Sequence, residues 1–465
     1  MFIEELTAMV GSDYIITSEE AKIDYSTDGS ALPIFPFEVL AKPASAKEIA
    51  GIFQVCSKYN KPVTPRGGGS GVTGGALPVK GGVVLSLERL NKIVAVDIAN
   101  GFAIVESGVI TADFLRRIEG EDMFFPIAPG SKNVSFIGGN IAENSGSPGS
   151  CRYGSMGDLV VNLEVVLPTG EVMWTGANVY KNASGFNLTR LFAGSEGVLG
   201  IITKAVLKIL PKPFFKRSIL AQFSSLQDAC NCVLKLGRLP SRPGCVELIS
   251  EDAIRMTLPF VTGEYPFSAA SVGTHLLIEV EGASQTVVEF ELDQIVELFD
   301  KIGGVSFVLA DTEEESVGLW KVRNAIHLAM TSNGSHYRDI DSCVPPACLY
   351  SYLKDIMLLT QRYDQKMVFF GHALDGNLHT MLLFSGDEKN RSDGPAVRSL
   401  LPEIFSIVIS LGGSISGEHG IGCLQQEFLP LQYSQKHLQL MRQIKSVFDP
   451  QGILNPGKLF LDPTF

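Results

Sequence analysis

Apolar positions in this chain change period along its length, and those changes lay out its elements. After Ser45-Ala46-Lys47-Glu48, a capping-box pattern, Ile49, Ile52, Phe53, Cys56 and Tyr59 recur at helical spacing as far as Asn60. Lys61-Pro62-Val63-Thr64 then reads as a short extended segment, and Val83-Val84-Leu85-Ser86-Leu87 as a strand. Further on, Ile201 to Leu210 and Leu276-Leu277-Ile278-Glu279-Val280 are strands by the same pattern. Thr312 and Glu315 open a helix that places Val317, Trp320, Arg323 and His327 on one face. Arg323 and His327, one turn apart, would then reach into a cleft together.

Met367-Val368-Phe369-Phe370 and Thr380-Met381-Leu382-Leu383-Phe384 flank the stretch Gly371 to His379, which carries two of the chain's seven histidines. Asp-Gly between two apolar runs signals a two-residue hairpin loop, because a type I′ turn needs positive φ at both central positions. With Asp375 and Gly376 as the loop, the facing pairs are Leu374–Asn377, Ala373–Leu378 and His372–His379. The two imidazoles would start from β-carbons about 5 Å apart on one face, with Asn377 beside them. That arrangement suits two ligands of one transition metal. Two ordinary core histidines on a hairpin fit the same pattern.

Glycine is the most distinctive part of the composition, at 47 of 465 residues. Pro65-Arg66-Gly67-Gly68-Gly69-Ser70-Gly71-Val72-Thr73-Gly74-Gly75 exposes successive backbone N–H groups that can wrap a pyrophosphate. Gly69 to Gly74 fits the dinucleotide fingerprint, but that motif must open a helix. Here Pro78 and Gly81-Gly82 forbid one. Pro129-Gly130-Ser131 with Gly138-Gly139-Asn140-Ile141-Ala142-Glu143-Asn144-Ser145-Gly146 is a second small-residue stretch. Gly194-Ser195-Glu196-Gly197-Val198-Leu199-Gly200-Ile201-Ile202-Thr203 is a third. Three such loops, each beside a strand, suit one elongated ligand touched along its length.

The length is too great for one core, and Pro211 and Pro213 punctuate a boundary between residues 1–213 and 214–465. A net charge of −12 argues against nucleic acid as a partner. The N-terminus lacks a basic-then-apolar signal pattern, and no apolar run approaches the ~18 residues of a membrane span. The eight scattered cysteines lack ferredoxin spacing, so no iron–sulfur cluster is expected. A reducing, cytoplasmic protein with mostly inert thiols is the expectation.

In order and spacing, the three loops resemble those of the vanillyl-alcohol-oxidase-type flavoproteins, and within them the D-lactate dehydrogenase and glycolate oxidase D-subunit branch. The resemblance runs from Pro36 to the last residues. It implies an α+β fold: a two-subdomain PCMH-type FAD domain, then an α+β FAD-linked oxidase C-terminal domain, with the tail around Asn455-Pro456-Gly457-Lys458 returning to the flavin. For Lys458 itself a plain surface turn is an equal reading. It implies FAD contacts from Pro65, Arg66, Gly67, Gly68, Gly69, Ser70, Gly71, Gly74, Pro129, Gly130, Gly138, Gly139, Asn144, Gly146, Glu196, Gly197, Gly200, Ile201, Ile202 and Asn455. No histidine precedes His275, so the histidyl–flavin linkage of some relatives is excluded. Only Cys56 and Cys151 could substitute, and FAD is expected to be non-covalent.

The resemblance also assigns the second half. Arg323, in a Trp-x-x-Arg segment, binds the substrate carboxylate, as a guanidinium fork suits; Arg338 is a second candidate. In Gly413 to Gly422, extended neighbours would aim Glu418 and His419 to opposite faces. Glu418 joins His372 and His379 around one divalent metal (zinc, manganese or iron), His419 is the base, and Asn377 touches substrate. One departure stands out: the family's Gly-His-x-Gly-Asp-Gly-Asn carries Leu374 in place of its second glycine. A leucine resists positive φ, so either the turn is reshaped or the pocket is locally more apolar.

The implied activity is FAD-dependent oxidation of a small 2-hydroxy acid of the D-lactate, glycolate or D-2-hydroxyglutarate kind. Electrons would pass to an iron–sulfur subunit, an electron-transfer flavoprotein, a cytochrome or a quinone. Peripheral attachment at the inner membrane face through such a partner, and homo-oligomerisation, stay open. Competing readings are a metal-free oxidase of another alcohol, a non-catalytic flavin subunit of a hydroxy-acid dehydrogenase, and, more remotely, a flavin-free metallohydrolase.

Overall fold

The computed structural model describes residues 1–30, 32–261, 265–267, 272–332, 336–384 and 395–461. The chain forms two compact units. The first is Met1–Ser147, Gly154–Lys212 and Glu418–Phe465; the second is Pro148–Tyr153 and Pro213–Gly417. No helix among the described residues is long and apolar enough to cross a membrane.

Among the described residues the first unit has two larger sheets and a two-stranded one that pairs Met123–Phe124 with Leu210–Pro211. Strands β1 (Ile15–Ile16), β2 (Val39–Ala41), β3 (Val63–Arg66) and β4 (Val83–Ser86) lie in the order β1-β2-β4-β3, with β2 and β3 both parallel to β4. Parallel neighbours cannot be joined by a tight hairpin. Helix α1 (Ala46–Lys58) connects β2 to β3, and its Ile49, Ile52, Phe53 and Cys56 pack with Val39, Val63 and Val83. Each such side chain contributes about 1.5–3 kcal/mol by leaving water. The Ser45 hydroxyl accepts from Glu48 N, and Glu48 reaches back to Ala44 N, so the cap expected from the sequence forms. The glycine-rich run is the crossover from β3 to β4, with no helix in it.

The other larger sheet is antiparallel: β5 (Ile93–Asp97), β6 (Phe102–Glu106), β7 (Val160–Val166), β8 (Val172–Trp174) and β9 (Ile201–Lys208) in the order β5-β6-β9-β7-β8. Helix α2 (Ile137–Glu143) packs Ile137 and Ile141 against its Leu163, Val165 and Leu207. This corrects the reading of Gly138 to Gly146 as a loop throughout. The glycines weaken helix propensity by about 1 kcal/mol each, but Gly138 lies so close to Ser107 that a Cβ there would sit 2.5 Å from its Cβ. Packing overrides propensity.

The second unit is one seven-stranded sheet. Its strands are β10 (Phe215–Phe223), β11 (Cys245–Ile249), β12 (Thr274–Gly282), β13 (Ser306–Leu309), β14 (His336–Cys343), β15 (Lys366–His372) and β16 (Asn377–Phe384), ordered β13-β10-β12-β11-β15-β16-β14. Helix α3 (Glu313–Thr331) packs Val322, Ile326 and Met330 with Ile249, Val368, Phe370 and Met381 on one sheet face. On the opposite face, Tyr352 of helix α4 (Leu349–Arg362) meets Thr380 at 3.1 Å. The buried stripe of α3 corrects the expected one: Val317 is exposed, and His327 stands at the surface beside the Tyr337 ring. Arg323 alone of the pair with His327 turns toward the sheet.

Candidate functional site

In the first unit the three small-residue segments converge. A Cβ built on Gly67 would lie 3.8 Å from Gly139 Cα, one on Gly75 3.0 Å from Glu143 Oε1, and one on Gly197 2.9 Å from Pro65. Their glycines fall into two kinds. At Gly71, Gly130 and Gly139 an added Cβ would meet nothing within 4 Å among the described residues. At Gly68, Gly74, Gly138, Gly197 and Gly200 it would press on protein atoms. The first kind leaves room for a ligand to approach the backbone, and the second brings segments together. Ile201 and Ile202 are buried in β9 and its core.

Several polar residues expected on the cofactor are spent on the protein itself. Arg66 donates to the carbonyls of Thr27 and Asp24. The Asn144 side-chain oxygen accepts from Gly157 N and Ser155 Oγ. Glu196, at φ 50°, accepts from Ile421 N at 2.9 Å and Gly422 N at 2.6 Å. Its carboxylate therefore sets the turn just after His419. Asn455 donates to Glu196 O and, at 3.4 Å, to Gly75 O. Glu143 Oε2 and Asn455 Oδ1 are buried with no hydrogen-bond partner among the described residues. Burial, then the neighbouring Glu196 and Asp28 charges, hold the Glu143 carboxyl well above the usual carboxylate range. Open backbone beside two unsatisfied buried polar atoms fits a large polar cofactor.

In the second unit, strand register brings the chemistry onto one sheet face. His372 pairs with Asn377 and Phe370 with His379, so the connecting loop is Ala373 to Gly376. The expected two-residue loop and the His372–His379 pairing are corrected: the register is displaced by two. A shift of two keeps every side chain on its face. The imidazoles therefore still meet, diagonally, with ring centroids 5.8 Å apart. The longer loop explains Leu374, which is absent from the positive-φ residues and is buried, 3.2 Å from where a Gly237 Cβ would lie. Gly376 carries the positive φ, 85°, and any Cβ on it would overlap the Val344 carbonyl.

Glu247 of β11 pairs with His372, and its fully buried carboxylate is shared. One oxygen takes His372 Nδ1, and the other takes Arg323 Nε at 2.5 Å. Burial pushes this carboxyl upward, but His372 and then Arg323 outweigh it and hold it at about 2. The guanidinium also lies 4.5 Å from the Phe370 ring centre, and that ring is 5.4 Å from His379. Asp339 Oδ2 stands 3.6 Å from His379 Nδ1. Asn377 donates to Asp341 Oδ1 at 2.7 Å, and Asp341 Oδ2 accepts from Ser416 Oγ and Gly417 N. Arg338 is a correction. It pairs with Leu382 while Asp341 pairs with His379, so strand alternation puts Arg338 on the face opposite the histidines.

Glu418 and His419 begin the last part of the first unit. They do not aim apart as extended neighbours would: the segment bends, Gly420 has φ 76°, and His419 Nε2 is 3.9 Å from Glu418 Oε1. Thr73 Oγ1 donates to the His419 carbonyl. With Glu196 gripping Ile421 and Gly422, this ties His419 to the glycine run and the third small-residue segment.

Comparison with known proteins now decides the family. The description "FAD linked oxidases, C-terminal domain" matches residues 212–459, and "FAD binding domain" matches 37–176. The chain belongs to the FAD-linked oxidase family. It is 36% identical over 458 residues to the glycolate oxidase subunit GlcD of Bacillus subtilis (strain 168), covering 98% of this chain and 96% of that one. To the D-lactate dehydrogenase of Anaerostipes hadrus it is 32% identical, covering 96% and 94%. The solved structure of p-cresol methylhydroxylase with substrate bound aligns with a TM-score of 0.82 at 19% identity, over 99% of this chain and 96% of that one. This FAD-linked oxidoreductase thus has the PCMH-type FAD-binding fold followed by a FAD-oxidase C-terminal domain.

Three members of this oxidoreductase's polar cluster, Glu247, Asp339 and Asp341, belong to no motif. Glu247 had one signal: an acid inside Cys245-Val246-Glu247-Leu248-Ile249, a strand buried at every position. Burial pushes the Cys56 and Cys151 thiols up to about 12, and Cys56 faces the core of α1.

Proposed function

We propose that this flavoprotein dehydrogenates a small 2-hydroxy acid of the glycolate, D-lactate or D-2-hydroxyglutarate type. The observation that carries the reading is Arg323, presented by Glu247 on the sheet face that also carries His372 and His379. A guanidinium for the carboxylate and imidazoles for the adjoining oxygen match the two functional groups of such a substrate. The names of the relatives, glycolate oxidase subunit and D-lactate dehydrogenase, point the same way.

Glu247 engages Arg323 at Nε, which leaves the terminal nitrogens to meet the substrate carboxylate side by side. His419 Nε2 takes the hydroxyl proton, a task an imidazole performs near neutral pH. Non-covalent FAD along the three small-residue segments supplies the hydride acceptor. His372, His379 and Glu418, which follows directly after Gly417 of the second unit, are the set for a divalent zinc, manganese or iron ion, whose chemistry is Lewis acidity toward the hydroxyl. Asn377 donates to Asp341, whose other oxygen accepts from Gly417 N. Electrons leave to a separate acceptor: an iron–sulfur subunit, an electron-transfer flavoprotein, a cytochrome or a quinone. A cytoplasmic location suits such a subunit. The Bacillus subtilis relative is named a subunit, which favours a second reading, a flavin chain that works only inside a larger assembly.

Anaerobic mixing with glycolate, each lactate enantiomer and D-2-hydroxyglutarate, followed by flavin absorbance, tests both. Bleaching by one of these acids with no partner present supports the dehydrogenase. Bleaching by a phenolic alcohol and by none of the acids overturns it.

A further inference from the structure

Glu247 combines features that a core residue does not need. It is 0% exposed, it sits in a strand whose five positions are all buried, and its two oxygens serve two different side chains. Oε1 takes His372 Nδ1 and Oε2 takes Arg323 Nε. Burying a carboxylate this deeply costs several kcal/mol before its partners repay it. A hydrophobic residue of similar size would fill the strand position without that cost.

The atoms chosen on each partner are informative. A histidine held through Nδ1 presents Nε2 as its ligating nitrogen, and a carboxylate on the far ring nitrogen raises its basicity toward a metal. An arginine held through Nε keeps its terminal fork, the edge that meets a carboxylate in two parallel hydrogen bonds. The Phe370 ring, 4.5 Å from the guanidinium and 5.4 Å from His379, supports the same arrangement from the side.

We propose that Glu247 is the positioning residue of this site: one buried carboxylate orients both the metal-ligating imidazole of His372 and the substrate-binding guanidinium of Arg323. The proposal rests on the functional reading above, and it adds a dependence that reading does not require. Metal affinity and substrate-carboxylate affinity should fall together when a single residue that touches neither ligand is changed. Glutamine at this position can accept from only one of the two N–H donors and turns its own N–H₂ toward the other. Aspartate keeps the charge but is one methylene shorter.

The test measures Zn²⁺ binding by equilibrium dialysis, and KM for the hydroxy acid that bleaches the flavin, in the flavin-loaded parent, Glu247→Gln, Glu247→Asp and His372→Ala. The expected result is a Zn²⁺ affinity roughly 10–100-fold weaker in Glu247→Gln, a raised KM, unchanged flavin content, and partial recovery in Glu247→Asp. Parent-like Zn²⁺ affinity in Glu247→Gln, with loss in His372→Ala, overturns the positioning role and leaves the metal site standing. Retention of Zn²⁺ by His372→Ala overturns both. A second measurement needs no variant: with ¹⁵N-labelled histidine and ¹¹³Cd²⁺ in place of zinc, His372 should couple to the metal through Nε2 while Nδ1 keeps its proton. Coupling through Nδ1 overturns the proposal even if the Glu247 variants fail to fold.

Discussion

Lys458 is 2% exposed and donates to the main-chain carbonyl of Leu77. Burial lowers this ammonium from 10.5 to about 8, against the opposing pull of Cys423, Asp28 and Glu196. The folded state therefore binds its proton less tightly than the unfolded chain does. The resulting penalty is complete below about pH 8 and is relieved as pH rises toward 10.5. Lys458→Met should raise stability at pH 7 by about 2 kcal/mol, the net of roughly 3 from the charge and about 1 for the lost hydrogen bond. Thermal melts of the flavin-loaded protein at pH 7 and pH 10.5 check this, since at the higher pH the charge part is gone and the lost hydrogen bond should leave the variant slightly less stable than the parent.

His379 and His372 share one sheet face, and removing either imidazole leaves too few nitrogen donors for tight transition-metal binding. His379→Ala should lose most of its divalent metal on elemental analysis, with flavin content unchanged. Equal metal in variant and parent would remove His379 from the ligand set.

Arg323→Lys keeps a positive charge for Glu247 but gives up the planar fork. KM for the hydroxy acid should rise at least tenfold while kcat falls less. His419→Ala should cost kcat about 10²–10⁴-fold, the span for a lost general base, with a smaller change in KM. Single-turnover flavin reduction separates the two. A parent-like reduction rate in His419→Ala at saturating substrate would assign the proton to another group.

Acid precipitation should carry all the yellow colour into the supernatant. No histidine precedes His275, and Cys56 points into the core of α1. Flavin retained on the pellet would show a covalent link through some other side chain.

How far the sequence disclosed the site follows the range of the interactions concerned. The Ser45 cap, the strand after Gly200 and the glycine crossover are set by neighbouring residues, and local patterns showed them. The hairpin was legible as a hairpin, but its loop length was not. Leu374 is unsuited to the left-handed region, and its burial beside Gly237 comes from a segment remote in sequence. The second glycine stretch becomes α2 because Ser107 presses on Gly138. Glu247 is 76 residues from Arg323 and 125 from His372, and no periodicity reaches so far. The resemblance implies Glu196 as a cofactor contact, and its carboxylate accepts from Ile421 N and Gly422 N, more than two hundred residues on, which no local pattern shows.

The first unit closes with residues from the far end of the chain. Ile453 and Leu454 lie in the same core as Val63 and Val83, Leu454 bridges to Val63, and Asn455 N donates to Val63 O at 2.7 Å. During synthesis, α1 and its sheet leave the ribosome with one flank of that core bare, and everything from Pro213 to Gly417 must be translated before the missing pieces exist. At ~5–20 residues per second that interval lasts on the order of tens of seconds. Over that interval the nascent amino-terminal half carries exposed apolar surface, and a prematurely terminated chain lacks the residues that finish this core.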